Sequence, residues 1–111
     1  VVTTLITGIN EVVTKGNNPS EFVLRQNYPN PFNPSTILQY ELPEAAHVSL
    51  KVYDMLGREI QTLVEKEEAA GRYSILFDGE RIATGVYIAR MEAQGLSGKR
   101  TVRSLKMLLL R

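Results

Sequence analysis

From Glu21 onward the chain alternates apolar and polar residues with a period close to two, in short runs stopped by Gly, Pro, Asn and Asp. A strand turns successive side chains to opposite faces, whereas a helix repeats its apolar positions every three or four residues. This spacing therefore predicts strands, each burying one face. Seven runs carry it: Phe22–Gln26, Thr36–Leu42, His47–Asp54, Arg58–Val64, Arg72–Asp78, Val86–Ala93 and Lys99–Arg111. Leu38, Tyr40 and Leu42 share a face, as do Val48, Leu50 and Val52, then Tyr73, Ile75 and Phe77, then Tyr87, Ala89, Met91 and Ala93. Only Glu65–Ala70 has helix-forming composition, and at about six residues it is too short to hold a helix alone.

The turns have their own signals. In Asp54-Met55-Leu56-Gly57, Asp54 suits the first position, where its carboxylate accepts a backbone N–H, and Gly57 the last, where a positive φ is often required. The flanking runs then form a hairpin. Asp78-Gly79 and Thr84-Gly85 bracket a polar crossover. Seven short strands with frequent turns predict an all-β, immunoglobulin-like antiparallel β-sandwich, with a small barrel as the alternative. The Cys and Trp landmarks of antibody domains are absent.

At 111 residues one core is enough, and 43% hydrophobic with 23% charged residues is ordinary for a folded domain. Thirteen Lys and Arg against twelve Asp and Glu leave a net charge of +1, so no global field points to nucleic acid or an anionic membrane. Without cysteine there is neither a disulfide framework nor thiolate chemistry. Val1-Val2-Thr3-Thr4-Leu5-Ile6-Thr7 lacks the basic start and cleavage site of a secretory signal, so an export signal is expected to have been removed or to lie upstream. The longest apolar run, Met107–Leu110, is far too short to span a bilayer.

Residues 1–21 read differently from the rest. Gly8 and Gly16-Asn17-Asn18-Pro19-Ser20 have the composition of a tether, so this stretch is a linker or the tail of a preceding region. The sharper alternative makes Val1, Val2, Thr3, Thr4, Leu5 and Ile6 a donated strand, completing a preceding domain or the open edge of a neighbouring copy. Residues 22–111 are the sandwich.

Asn27-Tyr28-Pro29-Asn30-Pro31-Phe32-Asn33-Pro34 is the most unusual stretch. Its three prolines deny the backbone both helix and ladder hydrogen bonds, so it is an extended or turning cover. Asn30 and Asn33 precede prolines, where their amides can bond nearby backbone. Tyr28 and Phe32 are expected to lie over an open end of the sandwich as a structural plug. Pro31 to Pro34 also has the spacing of a ligand for proline-binding domains, but packing explains the aromatics better.

That stretch, with Leu24-Arg25-Gln26 before it and Ser35-Thr36 and Tyr40-Glu41-Leu42-Pro43 after it, resembles the opening of the type A C-terminal sorting domain of bacterial type IX secretion cargo. Val52-Tyr53-Asp54-Met55-Leu56-Gly57-Arg58 resembles that family's central hairpin, and Ala70-Gly71-Arg72-Tyr73 its next strand entry. Asp78-Gly79 with Ala83-Thr84-Gly85-Val86-Tyr87 resembles its late crossover. Lys106-Met107-Leu108-Leu109-Leu110-Arg111 is similar to its terminal Lys-Met-x-Leu-Leu-Lys pattern, with Arg where Lys is usual. The resemblance covers about residues 22–111.

It implies a C-terminal address on an upstream cargo domain, exported to the cell surface or beyond through the type IX translocon and commonly removed by a sortase-like surface protease. Lys106 to Arg111 would be the sorting signal. A related immunoglobulin-like domain occurs in flagellar hook-capping proteins, so the fold alone does not settle function. Lys99, Arg100, Arg103, Lys106 and Arg111 make the tail basic with no acid after Glu92. A carboxylate-lined receptor groove could read that charge while pairing with the strand edge, or the strand has one solvated face. Aromatics are not interleaved with the charge as a nucleic-acid platform would need.

Catalytic chemistry is missing. His47, the only histidine, reads as a surface or half-buried residue at a strand start, and Glu65, Glu67 and Glu68 as a solvated run. No calcium-type spacing of carboxylates occurs, and Gly98-Lys99 lacks the rest of a phosphate loop. No enzyme activity, metal or cofactor is expected. The second functional reading is structural: a surface-fibre subunit joined to copies of itself by strand addition at Val1–Ile6.

Overall fold

A computed structural model describes residues 3–6, 12–15 and 19–111. Two antiparallel sheets face each other. One has the order β1 (Thr3–Ile6), β2 (Val12–Lys15), β7 (Gly71–Asp78), β4 (Ser35–Leu42), β3 (Val23–Tyr28). The other has the order β6 (Glu59–Glu68), β5 (Ala46–Tyr53), β8 (Gly85–Gly95), β9 (Arg100–Leu109). The seven strands β3 to β9 are the seven runs of the periodicity, and β3-β4-β7 over β6-β5-β8-β9 is an immunoglobulin-type sandwich. The sheets stay separate, which excludes the barrel.

Leu38, Tyr40, Leu42, Val48, Leu50, Val52, Phe77, Ala89 and Met91 are all fully buried. They are the apolar halves of the alternating runs, and they meet in the single layer between the sheets. Two tyrosines fix corners where the chain enters a strand. Tyr87 donates its hydroxyl to the Ala83 carbonyl at 2.5 Å, and Tyr73 does the same to Ala69 at 2.5 Å. The first is the tyrosine corner expected at the start of the strand equivalent to β8.

Three features depart from the periodicity reading. Residues 12–15 form a strand on β7, and residues 3–6 pair with them, so part of the segment read as a tether extends the sheet. Val1, Val2, Gly8, Gly16, Asn17 and Asn18 lie outside the described residues. Strand β6 continues through Glu65–Glu68, the stretch of helical composition, because each of its residues pairs with one of Ala46–Ser49. Glu68 is not solvated: it is 7% exposed and accepts the hydroxyl hydrogen bond of buried Tyr40, whose ring stacks on Tyr73 at 5.1 Å.

Candidate functional site

Two segments stood out in the sequence, residues 27–34 and 106–111, and the fold brings them together. Strand β9 lies on the edge of its sheet, paired on one side with β8. Met107 and Leu109 point inward and are 1% and 0% exposed, while Lys106 and Leu110 are exposed. In a strand, the backbone groups of alternate residues point to the same edge. Here the residues whose N–H and C=O face away from β8 include Lys106, Leu108 and Leu110.

All three have partners on that edge. The Lys106 carbonyl accepts from Gln26 Nε2 at 2.8 Å, and the Leu108 N–H donates to Asn30 Oδ1 at 3.0 Å. The Leu108 carbonyl accepts from the Phe32 N–H at 2.9 Å, and the Leu110 N–H donates to the Phe32 carbonyl at 3.0 Å. Phe32 thus forms a one-residue parallel bridge to Leu109. The sequence reading of residues 27–34 as free of ladder bonds needs this correction: Phe32 lies between two prolines but keeps its own N–H.

Phe32 fills the end of the core, 1% exposed, with its ring 5.8 Å from that of Phe77. Tyr28 does not join it and is 82% exposed, against expectation. The cause is a β-bulge. Arg25 pairs with Gln39 and Tyr28 with Ile37, so Gln26 and Asn27 together oppose Leu38. The extra residue reverses the facing of all that follows, sending Tyr28 outward and Asn27 inward.

Asn27, 2% exposed, then holds the turn from within: its Nδ2 donates to the Pro29 carbonyl and to Thr36 Oγ1, both at 3.1 Å. Thr36 Oγ1 also donates to the Pro29 carbonyl at 2.8 Å. Pro29, Asn30, Pro31 and Asn33 are exposed and Pro34 half-buried. The Pro34 carbonyl accepts from the Gly79 N–H at 2.8 Å. A Cβ on Gly79 would lie 3.1 Å from that carbonyl and 3.2 Å from both Leu109 Cδ2 and Phe32 Cε2, so glycine is what allows this close approach.

Arg111 closes the arrangement. Its guanidinium donates to the carbonyls of Gly79 at 2.5 Å, Glu80 at 2.6 Å, and Ile82. A planar fork with five donors suits three convergent carbonyls better than a lysine would. In the sequence Asn27 stood out only as the first residue of the unusual stretch, and Gln26 and Thr36 only as its flanks, with no role assigned to their side chains. The only signal was two side-chain amides directly before a proline-rich turn.

The other turn residues sit in their own loops. Asp54 Oδ1 accepts the N–H groups of Leu56 and Arg58 at 2.9 and 3.0 Å, and Gly57 has φ of 82°. The Arg58 N–H, foremost among these contacts, holds the Asp54 carboxyl below its ordinary range. Asp78 Oδ1 accepts the Glu80 N–H at 2.9 Å, and Gly85 has φ of 156°.

On the outer face of the four-stranded sheet, His47 Nε2 lies 2.6 Å from Glu65 and Nδ1 3.1 Å from Glu67. The hydrogen bond with Glu65, then that with Glu67, raises the histidine above its ordinary value of 6.5. Protonation is thus favoured by folding, so the contribution is fully present below pH 6.5 and lost as pH rises through the folded value. His47→Gln is expected to remove that slope, leaving variant and wild type with converging urea midpoints above neutrality. The imidazole is exposed, so the effect is small.

The family model described as the secretion system C-terminal sorting domain matches residues 26–103. No curated protein matches the chain. Among solved structures, CopC from Methylosinus trichosporium OB3b is similar with a TM-score of 0.56 and 11% identity, over 80% of this chain and 93% of CopC. Dimeric latent PorU from Porphyromonas gingivalis is similar with a TM-score of 0.62 and 15% identity. That likeness covers 94% of this chain, which spans 12% of the PorU chain. At these identities the structural likenesses bear on the fold alone.

Proposed function

The chain belongs to the family of secretion system C-terminal sorting domains, and from that premise we propose that Lys106–Arg111 is the address by which it directs its passenger. Domains of this family mark proteins for export to the cell surface or the extracellular space, and they engage the type IX secretion machinery. The finer reading makes residues 22–111 the sorting unit and residues 1–21 the connection to an upstream cargo domain. The unit is a signal without catalysis, read by the translocon and then by a sortase-like surface protease.

The observation that carries this reading is the presentation of Lys106. Its side chain is exposed on a strand whose backbone is tied on both edges, and no carboxylate among the described residues pairs with it or with Arg103. An exposed cation on a held backbone, with no carboxylate partner among the described residues, is available to an acidic groove. The fibre reading would donate Val1–Ile6, of which the described part, Thr3–Ile6, is paired with Val12–Lys15 of the same chain, and the sorting reading is the better supported.

The test is a point substitution. With the chain fused behind an exported fluorescent reporter, Lys106→Glu is expected to cut surface fluorescence roughly tenfold or more while leaving the unfolding midpoint unchanged. Display that requires the translocon but ignores Lys106→Glu would move the address elsewhere. Equal display in cells lacking the translocon would overturn the reading.

A further inference from the structure

We propose that the outer edge of Lys106–Leu110 is a strand-docking surface kept closed by the chain's own Asn30–Phe32 segment, which a partner's extended strand displaces. The inference rests on the reading of Lys106–Arg111 as the address.

An edge strand ordinarily leaves a row of backbone donors and acceptors open to another chain. On β9 the last stretch of that row is filled: Asn30 Oδ1 takes the Leu108 N–H, Phe32 takes both the Leu108 carbonyl and the Leu110 N–H, and Gln26 takes the Lys106 carbonyl. Two of these four contacts come from side-chain amides on exposed residues, so the row is closed by pieces and not by a strand of its sheet. Phe32, between prolines, adds only a single bridge and cannot extend it.

The resident segment also shows what fits. An occupant must offer an N–H and a C=O to Leu108 and Leu110, and an apolar side chain for the space that Phe32 fills at 1% exposure. Arg103 and Lys106 beside it have no carboxylate partner among the described residues. The partner is therefore an extended segment of the secretion machinery with an aromatic or large aliphatic residue and an acidic flank. While the resident segment is in place, apparent affinity is reduced by the fraction of time the edge is open, so loosening that segment raises recognition.

Asn30→Ala removes one tie without touching the address. In the purified chain, exchange of the Leu108 amide is expected to quicken about five- to tenfold, with the amides of Val48, Leu50 and Met91 unchanged. Surface display of the reporter fusion, at an expression level where the translocon is not saturated, is expected to rise by up to the same factor. Asn30→Asp keeps an oxygen acceptor for the Leu108 N–H and should return the exchange rate to its wild-type value. Should Asn30→Ala fold poorly, Gln26→Ala removes the tie at the Lys106 carbonyl instead, and surface display, expected to rise, is the readout.

Unchanged exchange at Leu108 would show that no closing tie exists. Faster exchange with display unchanged or lowered would show that the tie does not limit recognition; either result overturns the proposal. Lys106→Glu, run beside these variants, separates the two levels. If that substitution leaves display intact, the address reading falls and takes this inference with it; if it abolishes display while Asn30→Ala fails to raise it, only the closed edge falls.

Discussion

Truncation after Leu105 is expected to leave the domain unfolded or at the margin of stability in water, with loss of the cooperative urea transition. The segment removed carries Met107 and Leu109, both fully buried. Each is worth about 1.5–3 kcal/mol in apolar burial alone, before any penalty for the cavity left behind. Phe32 and Gly79 pack against Leu109, and Phe32 would also lose the backbone partners that hold it. The total, on the order of 5 kcal/mol, is comparable with the whole stability of a small domain. Circular dichroism and urea unfolding of the truncated chain would measure it. A truncated chain with an unchanged midpoint would mean that the last strand is not part of the core. Loss of display on truncation therefore does not distinguish a lost address from a lost fold, whereas a substitution at Lys106 does.

Phe32→Ala is expected to cost about 3–5 kcal/mol, the range for emptying a fully buried aromatic site. Its ring is tilted against Phe77 and closes the end of the core beneath the last strand. Tyr28→Ala, four residues earlier in the same unusual stretch, is expected to fall within about 0.5 kcal/mol of wild type, because its ring is in solvent. The pair makes a sharp test of the bulge in β3. Equal urea midpoints for the two variants would mean that Tyr28 faces inward and that the register is wrong.

The strands were legible because burial on one face imposes a period of two, and that period survives in a single sequence. Leu38 to Leu42 and Val48 to Val52 are examples in which every second residue is fully buried. The Asp54–Gly57 turn was legible for a similar local reason, since a carboxylate accepting nearby N–H groups and a glycine at positive φ act within four residues. Glu65–Glu68 misled because helix propensity is a weak preference, and pairing with β5 outweighs it.

By itself, the sequence determined the all-β class, the seven strands of the sandwich, the turns, and which two segments were out of the ordinary, all of them consequences of short-range periodicity and backbone chemistry. Only the tertiary structure decided which way Tyr28 and Asn27 face, since one extra residue in a strand inverts everything after it without changing composition. It alone decided that Phe32, Asn30 and Gln26 close the edge of residues 106–110, from 76 to 80 positions away in the chain. Such contacts depend on two sheets coming together around a core, and no local pattern in the chain encodes that distance.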